Sequence, residues 1–586
     1  MPEKSHNFWQ ELKRRKVIRV ITVYAAAAFV ILELVDIVSP ALGLPTWTMG
    51  LVIVLLCTGL VLSIILSWIY DITPAGVEKT RPLSVDKKVK ETTTSNGWKI
   101  ATYVSFVVIV GLIVFHILSR IDPNLGVDYP EKSIAVLPFE NMSSDTEYTY
   151  IGGAFTDEII MELQKINAFD RVLSRTSTMQ YEKERPTIPE IAEKLNVNYI
   201  IEGSIQRYED DVKIRVQVIE AKDEDHVWSD EYTGKWKDIF NIQDEIAYTV
   251  ASKLSVVLST EELMSIGKRP TENIEAYSLL LKARSTYGID RLNLLDEALS
   301  LDPNFAAAYA EKGGWWLWHA GGWRGSVSSS EVISNALPLL TRALEIDPNN
   351  AEAHYGLAGL QIWYFWNFEA SEKEYKLAIQ LNPSNAEVIH DYTDLLDAAG
   401  RFNEALEWSY KGVEADPTTI WETGLRQYFA NQHEEALKTF ELPNSLNEHD
   451  PNRYIDEARV LLYLRHYQDV IEIIDAYLKK YPDDESPRQM GTLAIAYYNL
   501  GQIEHAIGLL EEIKNKSQQS PAGSPSFYAA MIYAQMGEVD LAFNWLEKAY
   551  KDKEIEMYWL KVEPPFEPLR NDPRFNDLLS RIGFPD

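Results

Sequence analysis

Tryptophan is concentrated at two places in the second half of the chain, and these residues are the strongest candidates for a binding chemistry. A row of aromatic rings can stack on a sugar ring or hold a peptide. The alternative is that the rings fill the interior of a helical hairpin. The candidate partner-binding tryptophans are Trp315, Trp316, Trp318, Trp323, Trp363 and Trp366.

Histidine adds two candidates, because His319, His354 and His390 recur at intervals of 35 and 36 residues. We include His354 and His390 in the partner-binding set and expect them on one face of a repetitive structure. No Ser-His-Asp order, catalytic carboxylate pair or metal-ligand set stands out in the sequence. We therefore predict no catalytic residue, no metal site, no cofactor and no enzymatic activity.

Three acidic residues, Asp157, Glu158 and Glu162, share helical spacing. This grouping could indicate metal binding, but a solvated acidic helix face explains the same pattern, and we expect the solvated face. Gly152 and Gly153 lack the following Lys-Ser/Thr pair of a phosphate loop, so they indicate a turn at the start of a helix.

The elements that must position the aromatic candidates are helices, because the second half of the chain is repetitive. Copies of one motif end in proline at spacings of 45, 35 and 34 residues. The copies are ALSLDP at 298–303, ALEIDP at 343–348, AIQLNP at 378–383 and VEADP at 413–417. A tetratricopeptide unit has 34 residues, and this region resembles that family. The resemblance implies an all-α superhelix of about eight units over 272–555, closed by a cap at 556–586.

Short β-rich runs precede the repeats. Runs at 199–207, 212–220 and 226–232 predict three successive strands, and the alternation at 212–218 is that of a half-buried antiparallel strand. The motifs SIAVLPFEN at 133–141, YIIEGS at 199–204, VWS at 227–229 and FNIQDEI at 240–246 resemble the extracytoplasmic module related to the TolB amino-terminal domain. The resemblance implies a small mixed α/β domain over 132–260.

Three apolar stretches lie before this domain, at 17–37, 49–70 and 100–118. Each is close to the roughly 20 residues that cross a bilayer as a helix. Basic residues cluster before the first stretch and between the second and third, which places both on the cytoplasmic side. We therefore predict a multidomain fold class with three transmembrane α-helices. The predicted boundaries are a cytoplasmic basic segment (1–16), a membrane anchor (17–118) with a basic loop (71–99), and a linker (119–131).

Composition excludes several other protein classes. The chain has 586 residues, a formal net charge of −31 and one cysteine. The negative charge argues against a nucleic-acid partner, and one cysteine excludes intrachain disulfides and thiolate-rich zinc sites. The acidic charge suggests a basic partner. The oligomeric state stays open.

We predict from these features a membrane-anchored scaffold in a bacterial inner membrane, with residues 119–586 periplasmic. A protein or peptide partner would lie in the groove of the repeats. The alternative is a transmembrane sensor or regulatory component that passes an external binding signal to a membrane or cytoplasmic partner.

Overall fold

The computed structural model describes residues 131–182, 186–321, 327–442 and 451–585, together with two short strands and a few helical residues between 24 and 79. The chain divides into two compact units, 1–128 and 129–586. In the first unit, β1 (Tyr70–Thr73) and β2 (Gly76–Lys79) pair as an antiparallel hairpin.

The structure corrects the prediction of three transmembrane helices. Within the described residues, no helix combines the length and the apolar character that crossing a bilayer requires. Tyr70, the last residue of the second predicted span, begins β1, and β2 lies in the predicted basic loop. Apolar composition alone does not select a helix over extended backbone. The described residues therefore do not support the predicted multi-pass inner-membrane location or the periplasmic placement of 119–586 that followed from it. Most of 17–37, 49–70 and 100–118 lies outside the described residues.

A six-stranded mixed sheet opens the second unit, in the order β5-β3-β6-β7-β8 with β4 also paired to β6. The strands are β3 (Ser133–Val136), β4 (Glu140–Asn141), β5 (Arg171–Val172), β6 (Tyr199–Tyr208), β7 (Asp211–Glu220) and β8 (Asp225–Lys235). β3 pairs in parallel with β5 and β6, while β6, β7 and β8 are antiparallel neighbours. The three long strands confirm the predicted strands at 199–207, 212–220 and 226–232.

Helices cover both faces of this sheet. They are α1 (Ile151–Gln164), α2 (Arg175–Thr178), α3 (Ile188–Leu195), α4 (Ile239–Lys253) and α5 (Thr260–Ile266). The buried side of β7, with Ile214 and Val216, shares one core with apolar residues of α1 and α4. On the opposite face, α3 packs Ile191 and Leu195 against the sheet.

Eight helix pairs follow. Their bounds are α6 (Ile274–Arg284) and α7 (Ile289–Leu301), α8 (Ala306–Trp315) and α9 (Ser329–Ile346), α10 (Ala351–Trp363) and α11 (Phe368–Leu381), α12 (Ala386–Ala398) and α13 (Phe402–Ala415), α14 (Thr423–Phe429) and α15 (His433–Glu441), α16 (Pro451–Tyr463) and α17 (Tyr467–Lys480), α18 (Pro487–Asn499) and α19 (Ile503–Gln519), and α20 (Pro525–Met536) and α21 (Val539–Lys551). We call the first helix of each pair the inner helix.

The proline motifs mark the turns between pairs. α9 ends at Ile346, and the backbone of the next residue, Asp347, is extended before Pro348, because a helix rarely continues into the residue before proline. The Asn350 side chain then accepts a hydrogen bond from the Ala353 N–H at 2.8 Å and caps α10. The sequence pattern therefore sets where one pair stops and the next begins.

The array closes on itself at its carboxyl-terminal end. Two 3₁₀ helices, Ile555–Trp559 and Pro564–Leu569, and a last helix, α22 (Pro573–Ile582), follow the eighth pair. The Ser329 hydroxyl of the second pair donates to the Lys553 carbonyl at 2.7 Å. Phe368 of the third pair contacts Phe584, with ring centroids 5.2 Å apart. One apolar core cluster consequently extends from Leu317 to Ile582.

Candidate functional site

The inner helices do not line an open groove between the third and eighth pairs, because residues 553–563 lie against them. We call these residues the inner segment. Its Glu556 accepts a hydrogen bond from Arg488 at 2.6 Å and another from the Tyr528 hydroxyl at 2.8 Å. Seven residues later, Glu563 accepts hydrogen bonds from Arg459 and Tyr463. The segment therefore contacts the sixth, seventh and eighth pairs through charged groups.

The apolar side chains of the inner segment are buried in the same face. Met557, Tyr558, Trp559 and Leu560 have no exposed surface. The Arg459 guanidinium lies 4.7 Å from the Trp559 ring centroid, in cation–π geometry. The apolar side chains of the inner segment are thus part of the array's own core.

A buried network of charged groups lies deeper in the inner face. Arg426 has no exposed surface and pairs with Asp394 and, at 3.4 Å, with Asp397. Burial opposes protonation of His390, but the Glu422 carboxylate at 2.8 Å outweighs it and raises the His390 pKa to about 10. Unpaired buried charges are costly, so these partners hold one another in place.

One subset of this network has the geometry of a metal site. Ligand atoms of His390, Asp391 and Asp394 all lie within 4.8 Å of one another. Each group already has a protein partner: Glu422 for His390, the Tyr355 hydroxyl at 2.7 Å for Asp391, and Arg426 for Asp394. These contacts favour an ion-pair network at this place.

The candidate aromatic residues lie in two environments. Trp363 and Trp366 are each 3% exposed. Trp318 packs on Tyr355, with ring centroids 4.7 Å apart, and meets Trp363 edge to face. Lys553 lies 3.7 Å from the Trp366 ring centroid, at the closure of the array. These contacts indicate that Trp318, Trp363 and Trp366 pack in the interior of the array, as the alternative to an aromatic binding surface predicts.

The remaining candidates differ from one another in burial and in contacts. Trp315 and Trp316 are partly exposed, and Trp315 stacks on His319. His354 is buried, and its two ring nitrogens lie 2.5 Å from Glu374 and 3.0 Å from the Pro348 carbonyl. Trp323 lies outside the described residues. The structure therefore brings Trp318 and Trp363 together but does not join the described candidates into one surface.

A cleft of about 670 Å³ lies between the α/β domain and the first three helix pairs. We call it the interdomain cleft. One wall is formed by α1, α4 and the α5 region, and the other by α6, α8 and the proline-motif turns around Asn304, Asp347 and Asn382. No sequence pattern predicts this cleft, because its two walls come from segments far apart in the chain.

Two of the three acidic residues of α1, Glu158 and Glu162, are buried in this cleft, so the expectation of a solvated acidic face is wrong for them. Glu158 is 6% exposed and Glu162 9%. Arg284 of α6 pairs with Glu158 at 2.7 Å and with Glu311 at 3.3 Å. This cation comes from a helix 126 residues further along the chain, and no local pattern predicts such a partner.

Glu162 is the least satisfied of these carboxylates. Its Oε1 accepts a hydrogen bond from Lys165 at 2.6 Å. Its Oε2 is buried and has no hydrogen-bond partner among the described residues. Burial raises the Glu162 pKa to about 7, against the opposing effect of Lys165. The cleft therefore contains a poorly solvated carboxylate with a hydrogen-bond partner on only one of its two oxygens among the described residues.

Comparison with known proteins identifies relatives for parts of the chain. Residues 130–249 match the family described as HilA/YgeH-like transcriptional regulator, second domain. The putative adenylate cyclase 3 of Rhizobium meliloti (strain 1021) is 33% identical over 204 residues, which are 33% of this chain and 35% of that protein. The chain thus spans about a third of the length of this curated relative. These matches do not support the predicted TolB-like resemblance.

Solved structures similar to this chain include Pseudomonas aeruginosa pilF, with 21% identity, a TM-score of 0.27 and coverage of 38% of this chain and 96% of that one. A tetratricopeptide repeat protein from Parabacteroides merdae has 16% identity, a TM-score of 0.31 and coverage of 47% and 98%. Scores of this size support no comparison of overall arrangement. The chain's own helix pairs and proline spacing identify a tetratricopeptide-type repeat array.

Proposed function

We propose that this chain is a protein-interaction scaffold whose partner binds in the interdomain cleft. The observation that carries the proposal is the cleft itself, a cavity of about 670 Å³ with polar and apolar lining residues that the repeats and the α/β domain form together. Binding sites are commonly concave and lie between domains. A partner in this position would contact both parts of the second unit at once.

The inner face of the later pairs is a weaker candidate, because the inner segment lies there. Full burial of a large apolar side chain contributes about 2 kcal/mol. Four such side chains, Met557, Tyr558, Trp559 and Leu560, together contribute on the order of 8 kcal/mol. A partner that displaced them would first have to offset a free energy similar to that of micromolar binding.

The partly exposed candidate aromatic residues fit this proposal as an extension of the cleft. Trp315 stacks on His319, and the pKa of His319 is lowered by burial and by the charge of Arg291, with an opposing effect from Glu311. Glu311 also lines the cleft. We propose that Trp315 and Trp316 provide an aromatic edge for the partner near Glu311.

Site-specific photo-crosslinking tests the proposal. Met264 lines the cleft and is 65% exposed, and Tyr208 of β6 is 64% exposed outside the cleft lining. A photo-reactive phenylalanine analogue replaces one or the other in the full chain, expressed in its source cells. We expect a defined partner, mapped to one peptide, at position 264 and not at 208. Equal labelling at both positions would contradict the proposal.

A regulatory role is the second candidate function. It is motivated by the match of residues 130–249 to the second domain of a transcriptional-regulator family. Under this proposal, partner binding in the cleft would control another protein's activity. The crosslinked partner's identity tests it: a partner with a regulated activity that changes when the full chain is added supports the role, and an unchanged activity counts against it.

A further inference from the structure

Two buried acceptor atoms in the interdomain cleft lack donors. They are Oε2 of Glu162 and Oδ1 of Asn382, and both residues line the cleft. Neither atom has a hydrogen-bond partner among the described residues. Leaving a buried polar atom unsatisfied costs about 1 to 3 kcal/mol. Two such atoms of the same kind on one cavity indicate a ligand that donates hydrogen bonds.

The amide orientation of Asn382 follows from its neighbours. The Gln164 amide nitrogen donates to the Val172 carbonyl at 3.3 Å, and a carbonyl can only accept. The Gln164 oxygen is therefore turned toward Asn382 and accepts from its amide nitrogen at 3.2 Å. This chain of two amides leaves Oδ1 of Asn382 as the free atom, so the unsatisfied group is an acceptor.

The charge around these acceptors selects the sign of the ligand. The cleft lining contains seven carboxylates and four cationic side chains. All four cations already pair with carboxylates: Arg284 with Glu158 and Glu311, Lys165 with Glu162, Lys268 with Asp347 at 2.7 Å, and Arg269 with Glu272 at 3.5 Å. A cation entering the cleft would meet an excess of negative charge in a poorly solvated site, where attraction is stronger than in water.

The apolar part of the lining suits the stem of a long side chain. Phe240, Met161, Met264 and Leu280 line the same cavity. Lysine and arginine bury their methylene stems on apolar surface while the charged head meets polar groups. The cleft thus combines apolar walls with acceptors that lack donors.

We propose that the interdomain cleft binds a lysine or arginine side chain of a protein partner, with Glu162 as the principal acceptor and Asn382 as an additional one. This inference rests on the proposed function and names the chemistry of its partner. The cationic group donates to the free Glu162 oxygen, and an N–H of the same partner segment donates to Asn382.

Calorimetric titration of the full chain tests the inference. The probes are the capped peptide acetyl-Gly-Lys-Gly-Arg-Gly-amide, a version with glutamine at both cationic positions, and spermidine. We expect the basic peptide to bind and the glutamine peptide not to bind. Glu162→Gln should weaken basic-peptide binding about 10- to 100-fold, the range of a hydrogen bond to a charged group. The matched control Glu193→Gln changes an exposed glutamate of α3 and should change the affinity less than about twofold.

Three outcomes would overturn the inference: no binding of the basic peptide, equal affinity of the Glu162→Gln variant, or binding of spermidine without the peptide. Carbodiimide coupling on the unmodified chain gives a second measurement that needs no variant to fold. It should join the peptide lysine to Glu162, as located by mass spectrometry, and coupling only elsewhere would reject the site.

The two proposals can fail separately. A partner crosslinked at position 264 through a segment without lysine or arginine would keep the scaffold and reject the cationic ligand. Basic-peptide binding that depends on Glu162, without any partner crosslinked at 264, would keep the cation-binding cleft and reject the scaffold.

Discussion

Replacing Trp559 with alanine tests whether the inner segment holds the repeat array together. The side chain has no exposed surface, and it contacts Phe429 of the fifth pair and Arg459 of the sixth. Tryptophan-to-alanine changes in a core cost about 3 to 5 kcal/mol. Loss of the cation–π contact adds about 0.5 to 2 kcal/mol. We therefore expect the free energy of unfolding to fall by about 3.5 to 7 kcal/mol.

Trp545→Ala is the matched control. Trp545 lies on α21, is only partly buried, and packs at the edge of the same core cluster. Its removal creates less of a cavity, so we expect a loss of about 1 to 2 kcal/mol. Urea unfolding followed by far-ultraviolet circular dichroism compares both variants with the unmodified chain.

Hydrogen exchange adds the spatial part of the test. A repeat array held only by neighbouring units unfolds locally, whereas the inner segment contacts several pairs at once. Trp559→Ala should therefore increase exchange in α14, α16 and α18 together. Equal destabilisation by Trp559→Ala and Trp545→Ala, or faster exchange confined to residues 555–569, would refute the assignment of a coupling role to the inner segment.

Three further changes test other parts of the structure. Arg426→Met leaves buried carboxylates without their cation and should lower the free energy of unfolding, measured in urea, by about 3 to 5 kcal/mol. Arg401→Met, which changes a 37%-exposed side chain, should lower it by less than about 1 kcal/mol. The folded-state pKa of Glu162 is raised to about 7, so the folded protein binds the Glu162 proton more tightly than the unfolded chain does. This proton binding stabilises the folded state fully below the unfolded pKa near 4.5, and the stabilisation is lost as the pH rises through 7. Glu162→Gln should therefore remove a decline in unfolding free energy of at most about 3 kcal/mol between about pH 4.5 and 7, and parallel pH curves for both proteins would contradict this. Gly203→Ala brings a Cβ into steric overlap with the Arg215 carbonyl oxygen, while the Cβ of Gly234→Ala has its nearest atom at 3.5 Å. Thermal unfolding should show a loss of about 1 to 3 kcal/mol only for the first variant.

The elements with periodic sequence patterns were predictable. The proline motifs fixed the ends of the early helix pairs, and the alternation in β7 identified its buried side. In each case the pattern arises from interactions between residues close in the chain, so it can be recognised in a single sequence.

The candidate site was less predictable, because its contacts are long-range. The pairing of Arg284 with Glu158 and the docking of Trp559 on Phe429 have no periodic signature. Hydropathy also led to a wrong helix prediction at Tyr70, because the apolar stretch that was predicted to be the second span ends in a β-hairpin. Aromatic clustering identified Trp363 and Trp366, but composition alone does not distinguish an aromatic binding surface from a tightly packed interior.

Closure of the array constrains its copy number. An open repeat protein can gain or lose a unit during evolution, because each unit contacts only its neighbours. Here Glu556 and Glu563 must reach Arg488 and Arg459, which lie in successive units, while Ser329 must still meet Lys553. One unit inserted or deleted between the third and eighth pairs would separate these groups, so duplication by unequal recombination should be selected against in this gene.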